Sequence, residues 1–313
     1  MRTPAKDVAV VLDAEIARVA REQHALITLA QMRDLGGDRR HLDRRARSGA
    51  LERVNHTVYR IGGVAPTWES QVLAGVWGAG PGAVASHLTA GALWDLDGFS
   101  RAGRPEVSIP RGRHHRSDAV RCHESTDLDR CTVVARAGIP TTDLPRTLLD
   151  LGRYFRPPRL ARAVESARRS HDLTWGPIVH VLLRHARQGR HGIRRLRTVI
   201  AEHGDRDEVT DSDFELLVLA LLAEHGIATP VLHHEVWAGD VLIAEVDLAW
   251  PERMVAMELN GRVHREEAEV WERDQVKAVE LRALGWTVLP FTWRTYAHEP
   301  EWLVRRVRDI LRG

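Results

Sequence analysis

The sequence has very little lysine and cysteine, and its apolar runs are short. Lys6 and Lys277 are the only lysines among 45 basic residues, so the other 43 are arginines. Cys122 and Cys131 are the only cysteines, too few for a disulfide framework or for a zinc site built from CxxC pairs. The longest apolar run, residues 216–223, is far shorter than a membrane span. These absences predict a cytoplasmic protein with no membrane partner.

The composition is that of a globular protein long enough for several domains. Its 313 residues are 43% hydrophobic and 28% charged, which argues against disordered and fibrous classes. The net charge is only +2, so the arrangement of the arginines matters more than their number. A guanidinium group matches phosphate oxygens and guanine edges. We predict an α+β multidomain protein with four segments, namely 1–65, 66–200, a linker at 201–212, and 213–313.

The N-terminal segment has the outline of a winged helix-turn-helix. Helices are predicted at about 8–23 and at 28–35, where Thr28 is placed as N-cap. A Gly36-Gly37 turn follows, and a third helix begins after Asp38 as N-cap and ends at Gly49. The sequence after Gly49 alternates enough to predict a short hairpin.

The third helix would enter the major groove of double-stranded DNA and contact mainly phosphates. The alternative is a solvated basic helix that packs through Leu42 and Ala46. The arginines that we expect to bind DNA are Arg39, Arg40, Arg44, Arg45 and Arg47.

The middle segment, 66–200, mixes helical patterns with short strand patterns, and we assign no chemistry to it. His87, His114 and His115 are possible ligands in principle. Isolated histidines in loops are more often surface or hydrogen-bonded residues, and their spacing is not that of a metal site. The expectation is therefore a mixed α/β domain of unknown role.

The C-terminal segment has a more regular order of elements, αβββαβα. We predict a helix, three strands, a helix, a strand and a last helix, at about 212–226, 231–237, 241–249, 254–260, 266–284, 286–293 and 299–311.

The hairpin formed by the second and third of these strands carries acids among apolar residues. If residues 251–254 form the turn, Asp247 lies opposite Glu258, roughly 5 Å away at Cβ. Two ionised carboxylates this close repel each other unless a positive charge lies between them. With the amide of Asn260 on the same face and Glu215 on the preceding helix, they suit Mg2+ or Mn2+. The alternative is a surface hairpin whose polar face meets water.

The helix after this hairpin carries Asp274 and Lys277 on one face. Lys277 is unusual in a chain that otherwise uses arginine. It is a candidate partner for a phosphate or for a nucleophile.

Residues 213–313 resemble the DUF559 group of the PD-(D/E)XK nuclease superfamily, relatives of the very-short-patch-repair endonucleases. The likeness rests on Glu215, VDLAW with Asp247, MELNG with Glu258 and Asn260, His264, ERDQVKAVELRALGW with Asp274, and VLPFTW. It implies a restriction-endonuclease-like fold in which Asp247 and Glu258 hold the metal and Glu215 supports it. Asn260 stands at the superfamily's lysine position, so His264 or Lys277 would supply the missing base or charge.

The N-terminal half resembles the winged-helix domain of AbiEi-type antitoxins more loosely. TLAQ, the glycine turn and TVYRIGG carry the likeness, with SHLTAGALWDL and GIPTTDLPRTLLDLG further along. Two functions follow as hypotheses. The first is a Mg2+- or Mn2+-dependent endonuclease that binds double-stranded DNA. The second is an antitoxin-type transcriptional regulator, with a toxin or regulatory protein as partner and an inert nuclease-like domain.

Overall fold

The computed structural model describes residues 4–113, 115, 117–204, 209–260 and 268–312. Helices and several separate sheets alternate along the chain, which confirms the predicted α+β class. The chain forms two compact units, residues 1–151 and 152–313. This division is coarser than the four predicted segments, which stay predictions. No helix in the described ranges has the length and apolar character needed to cross a membrane.

The first part of unit 1 is a small helical layer on a three-stranded sheet. The sheet has the order β1-β3-β2 and is antiparallel throughout. The elements are α1 (Pro4–Arg21), β1 (Leu26–Thr28), α2 (Leu29–Asp34), α3 (Arg39–Arg47), β2 (Leu51–Arg53) and β3 (Val58–Ile61). The predicted helices and hairpin are present, and β1 is an element that the sequence pattern did not reveal.

Both predicted helix starts in this region are capped. The hydroxyl of Thr28 accepts a hydrogen bond from the backbone N–H of Gln31 at 3.1 Å. The carboxylate of Asp38 accepts one from the N–H of His41 at 2.9 Å. These bonds satisfy N–H groups that have no partner inside a helix. The start of each of these two helices is therefore fixed by a side-chain cap.

The second part of unit 1 is a five-stranded mixed sheet with the order β6-β5-β4-β8-β7. Its strands and helices are α4 (Trp68–Ala79), β4 (Val84–Ala85), α5 (His87–Leu93), β5 (Glu106–Pro110), β6 (Arg121–Ser125), β7 (Val133–Arg136), β8 (Ile139–Thr142) and α6 (Leu144–Leu151). Strands β5 and β6 are parallel, as are β4 and β8. The apolar side chains of α4, including Val72, Leu73 and Val76, fill the core over this sheet.

Unit 2 places helices around a four-stranded sheet with the order β12-β11-β10-β9. Its elements are α7 (Pro157–His171), α8 (Trp175–His185), α9 (Ile193–His203), α10 (Asp211–Glu224), β9 (Val231–Ala238), β10 (Val241–Trp250), β11 (Val255–Asn260), α11 (Ala268–Ala283), β12 (Thr287–Thr292), α12 (Trp293–His298) and α13 (Pro300–Arg312). The predicted order of elements is found, with the short helix α12 as an addition. Strand β12 runs parallel to β11, while β9, β10 and β11 form an antiparallel meander.

Helices α9 and α10 extend into the segment predicted as a linker, 201–212. Helix α9 continues through His203, because its buried face includes Ile200 and Ala201. Helix α10 begins at Asp211, where the hydroxyl of Thr210 caps it by accepting from the N–H of Asp213 at 3.1 Å. The predicted linker therefore overlaps the end of α9 and the start of α10.

Candidate metal centre and basic helix

The acidic hairpin of unit 2 has the register expected from its turn. Leu248 pairs with Met257 and Trp250 pairs with Val255. Continuing this register by one step sets Asp247 opposite Glu258. Side chains at opposite positions of an antiparallel pair share a face of the sheet. The two carboxylates therefore start from neighbouring strands on one face.

Asp247 also has a neighbour on strand β9, on the side away from β11. Strand β9 pairs with β10 so that Val246 lies opposite His234 and Leu248 lies opposite Leu232. His233 consequently lies opposite Asp247, between these two pairs. The positions of His233, Asp247 and Glu258 thus form a row across three adjacent strands.

The carboxylate of Asp247 is held in place by the neighbouring strand. Its Oδ2 accepts a hydrogen bond from the backbone N–H of Leu259 at 2.6 Å. Such a bond from an N–H to a carboxylate oxygen fixes the direction of the side chain. Asp247 is therefore oriented by β11 and not only by its own strand.

Three side chains converge at this point, namely Glu215 from α10, His233 from β9 and Asp247 from β10. Each offers one ligand atom, and these atoms all lie within 4.8 Å of one another. Nε2 of His233 is 3.5 Å from Oε2 of Glu215, and its Nδ1 is 3.4 Å from Oε1 of Glu245. Two carboxylates and an imidazole can hold a divalent cation, and the imidazole favours Mn2+ over Mg2+.

His233 was not among the predicted site residues. Its backbone φ is 47°, in the left-handed region, although it lies inside a strand. A residue with a Cβ rarely adopts this conformation, which here breaks the regular alternation of side chains along β9. The sequence signal was the pair His233-His234 in a strand pattern. To predict that His233 lies beside Asp247, the β9–β10 register would have to be known, and this register shifts between Leu242 and Ala244.

Burial and charge set the protonation of Glu215. Its side chain is 21% exposed. Burial raises the pKa of the Glu215 carboxyl above its ordinary value, and the carboxylates of Asp247 and Asp211 raise it further. The nearby His233 acts in the opposite direction and lowers this pKa. The ionised form of Glu215 is thus disfavoured until a positive charge is close by.

The carboxylate of Glu258 forms an ion pair with Lys277. The ammonium Nζ of Lys277, on α11, is 2.9 Å from Oε1 and 3.1 Å from Oε2 of Glu258. Both side chains are partly exposed, at 22% for Glu258 and 27% for Lys277. Within the described residues, Glu258 does not belong to the group formed by Glu215, His233 and Asp247. The predicted acids are therefore divided between two neighbouring groups.

Asn260 ends β11 and lies beside Thr292 of β12. Alternation along the strand places it on the same face as Glu258. His264, the other predicted source of a base, lies outside the described residues.

Four of the five predicted DNA-binding arginines are exposed on α3. Arg40, Arg44 and Arg47 recur at a spacing of four and three residues, so they share one face of the helix. Arg39, at the start of the helix, donates from Nη2 to the carbonyl of His56 at 3.0 Å. The helix therefore presents a basic stripe to solvent.

The prediction for Arg45 is corrected by its burial. Arg45 is only 6% exposed, and its Nε donates to Oδ1 of Asp13 on α1. Arg45 follows the buried Leu42 by three residues and so lies on the face of α3 that packs against the unit. Its guanidinium ties α3 to α1 and does not face solvent.

No family model matches the chain. Two curated relatives, "Uncharacterized protein MT2308" and "Uncharacterized protein Rv2248", come from the CDC 1551 and H37Rv strains of Mycobacterium tuberculosis. Each is 26% identical over 163 residues, which cover 51% of this chain and 58% of the relative. The chain thus spans little more than half the length of these relatives.

One solved structure, that of the RV2827C protein from Mycobacterium tuberculosis, aligns with 76% of this chain and 90% of its own. The TM-score is 0.33 and the sequence identity is 14%.

Proposed function

We propose that the chain is a DNA-binding protein whose C-terminal segment, 213–313, hydrolyses phosphodiester bonds of double-stranded DNA with the help of a divalent cation. The observation that carries this proposal is the 2.9 Å contact between Lys277 and Glu258. A nuclease site of this kind needs a positive charge beside its acids, and Asn260 cannot provide it. Lys277 brings an ammonium to that place from a different element.

The cation would be held by Asp247 and Glu215, with His233 beside them and Glu258 on the adjoining strand. The donor set is mainly oxygen, which fits Mn2+ or Mg2+. A bound cation lowers the pKa of a water ligand and neutralises charge that develops on the phosphorus oxygens.

Residues of the chain would orient the ligands and supply the charge and the base. The N–H of Leu259 keeps the Asp247 carboxylate oriented. Glu258 positions the Lys277 ammonium, which is a donor suited to a phosphate oxygen or to the attacking water. Asn260 offers an uncharged amide on the same face. His264 stays a second candidate for the base.

Binding of the duplex is assigned in this proposal to α3. The order α1, β1, α2, α3, β2, β3, with the strand order β1-β3-β2, supports a winged helix-turn-helix. The exposed arginines, Arg39, Arg40, Arg44 and Arg47, would contact phosphates and set the register on DNA. These contacts carry little sequence information by themselves.

The test is nicking of supercoiled plasmid DNA with Mn2+ or Mg2+. The wild-type protein is expected to nick the plasmid, and Asp247→Ala should lose about 100-fold or more of this activity. Asp240→Ala is the matched control, because Asp240 is exposed at the β9–β10 turn of the same sheet. Equal nicking by wild type and Asp247→Ala would remove the catalytic proposal.

A second candidate function is an antitoxin-type transcriptional regulator with an inert nuclease-like domain. The observation in its favour is that the Lys277 ammonium contacts both carboxylate oxygens of Glu258, so the two charges already balance each other. This neutral pair would serve equally well in a protein-binding domain. The regulator predicts tight, strongly salt-dependent binding to its own promoter and no metal-dependent cleavage. A toxin or regulatory protein would then be its partner.

A further inference from the structure

Unit 1 contains a largely buried cluster of two histidines and one glutamate. His87 begins α5, Glu106 begins β5 and His123 lies in the middle of β6. Each offers one ligand atom, and these atoms all lie within 4.8 Å of one another. The cluster is remote in sequence from the acidic hairpin and belongs to the other compact unit.

The backbone brings these residues together. Strands β5 and β6 are parallel neighbours in which Glu106 lies beside Arg121 and Ser108 lies beside His123. Since alternate residues share a face, Glu106 and His123 point to the same side of the sheet. His87 adopts a left-handed φ of 53° at the start of α5. This uncommon conformation is held where the imidazole meets the other two groups.

Burial makes the charge of this cluster matter. Glu106 is 3% exposed and His87 is 5% exposed. A buried carboxylate is costly unless positive groups or hydrogen-bond donors compensate it. Nη1 of Arg121 lies 3.2 Å from Oε1 of Glu106, and Nε2 of His123 lies 3.1 Å from Oε2. The carboxylate thus has one oxygen toward Arg121 and the other toward His123.

The spacing of the donor atoms is close to that of ligands on one cation. Zinc binds nitrogen and oxygen at about 2.0–2.2 Å, so two ligands of a tetrahedral site lie about 3.3–3.6 Å apart. The 3.1 Å between Nε2 of His123 and Oε2 of Glu106 is slightly shorter than this. The rings of His87 and His123 face each other with their centroids 4.0 Å apart. The three donor atoms all lie within 4.8 Å of one another, so side-chain rotations that bring them closer would place them around one ion.

Outer hydrogen bonds orient the ligands. Nδ1 of His87 is 2.9 Å from the hydroxyl of Ser86, which in turn accepts from the hydroxyl of Ser108 at 2.8 Å. When Nδ1 carries the proton and donates it to Ser86, Nε2 of His87 keeps its lone pair as a ligand. Metal-binding histidines commonly have such a partner on the other ring nitrogen. Arg121 holds the Glu106 carboxylate in the same manner.

We propose that His87, Glu106 and His123 form a binding site for a divalent cation of the zinc class, with water as a fourth ligand. Two imidazoles and one carboxylate are a donor set that zinc takes with an open fourth position. Mg2+ and Ca2+ prefer sites made of oxygen atoms alone, so the set also argues for selectivity. The alternative is a hydrogen-bonded network without any ion.

The experiment is Co2+ and Zn2+ binding to the full-length protein after treatment with a chelator. Co2+ reports a tetrahedral site by its visible absorption, and we expect one such ion per chain, displaced by Zn2+. Asp247→Ala removes a ligand of the group in unit 2 and should leave this signal unchanged. Loss of the tetrahedral Co2+ signal in Asp247→Ala would place the ion at the other group and overturn the proposal.

Substitutions in the cluster then locate the ion. His123→Gln should weaken Co2+ binding by about 10-fold or more, and Ser86→Ala should weaken it by roughly 10- to 100-fold through the orientation of His87. His180→Ala, which removes an exposed histidine of α8, is the matched control and should bind as wild type does. Circular dichroism identifies the variants that fold. Undiminished binding by folded His123→Gln, or no Co2+ binding by wild type, would overturn the site.

A second readout does not depend on any variant of the cluster. Zn2+ that binds only the folded state raises the Tm in proportion to the logarithm of its concentration above Kd. The Tm of Asp247→Ala should therefore rise on addition of Zn2+, while an equal concentration of Mg2+ should have little effect. If Zn2+ did not raise the Tm of Asp247→Ala, this result would count against the site.

Discussion

The ammonium of Lys277 on α11 lies 2.9 Å from the carboxylate of Glu258 on β11. These residues are 19 positions apart in the sequence. The strand itself has Asn260 two residues after Glu258, so the positive charge comes from a neighbouring helix. In the proposed cleavage site, Lys277 carries the positive charge and Glu258 orients it.

Replacing Lys277 with methionine should reduce plasmid nicking by about 100-fold or more, which is the usual contribution of a positioned acid or base. Lys277→Arg should retain more activity because it keeps the charge, although a guanidinium differs from an ammonium in shape and hydration. The measurement is the initial rate of nicking at saturating Mn2+.

Lys6→Met is the matched control for this prediction, since it removes the other lysine of the chain. It should nick as wild type does. Wild-type nicking by Lys277→Met would exclude any role for its ammonium in cleavage.

Glu215 should make folding stability depend on pH in a specific direction. Its pKa in the folded protein is raised, mainly by burial, above the ordinary value of 4.5. The folded state therefore binds the proton more tightly than the unfolded state, and stability falls as pH rises from 4.5 through the folded pKa. Glu215→Gln should remove this loss and be more stable than wild type at pH 7 without divalent cations.

Urea unfolding across the pH range measures this effect, with Glu252→Gln, at an exposed residue of the hairpin turn, as control. Mn2+ should stabilise wild type at pH 7 and should stabilise Glu215→Gln less, since the variant lacks one ligand. A variant that is less stable than wild type at pH 7 would contradict the electrostatic account of Glu215.

The arginines of α3 should separate into two classes by experiment. The double substitution Arg40→Ala with Arg44→Ala removes two exposed charges and should lower the slope of log affinity against log salt by roughly two. It should leave the Tm nearly unchanged. Arg45→Ala should lower the Tm and leave the salt slope nearly unchanged, because Arg45 is buried against Asp13.

DNA binding at several salt concentrations, together with the Tm of each variant, checks this division. The comparison contains its own control, because all three residues belong to one helix of nine residues. An unchanged salt slope for the double variant would remove α3 as the DNA-binding helix.

The parts of the fold that could be predicted are those fixed by neighbouring residues. The register of the acidic hairpin follows from a short turn at 251–254 and from alternation on both sides. The starts of α2 and α3 follow from Thr28 and Asp38, whose caps act within three residues. Strand β1 escaped prediction because three residues, LIT, carry too little pattern.

The parts that escaped prediction depend on contacts distant in sequence. His233 meets Asp247 through a strand pairing that contains an irregularity, which no local pattern reveals. Arg45 is buried because Asp13, 32 residues earlier, compensates its charge. His87 at the start of α5 and His123 in β6 come together only through the tertiary fold of unit 1. In each case the sequence showed the residue but not its partner.

Arg146 belongs to a buried ion network in unit 1. Removing its guanidinium should strongly lower the free energy of unfolding. Nη2 of Arg146 lies 3.0 Å from Oδ1 of Asp127, and its Nε lies 3.1 Å from both carboxylate oxygens of Asp150. All three residues are at most 2% exposed. Arg146→Met leaves two buried carboxylates without this cation and should cost about 3–5 kcal/mol in the free energy of unfolding.

Urea unfolding measures this cost, and Arg130→Met, at an exposed arginine of the same unit, should change stability by less than about 0.5 kcal/mol. Arg146→Lys should recover only part of the loss, since an ammonium cannot serve both carboxylates with the planar fork of arginine. Neutralising the acids by Asp127→Asn and Asp150→Asn in the Arg146→Met background should restore stability, because the two buried negative charges are then absent. If these substitutions lowered stability further, packing and hydrogen bonding rather than charge would account for the effect of Arg146.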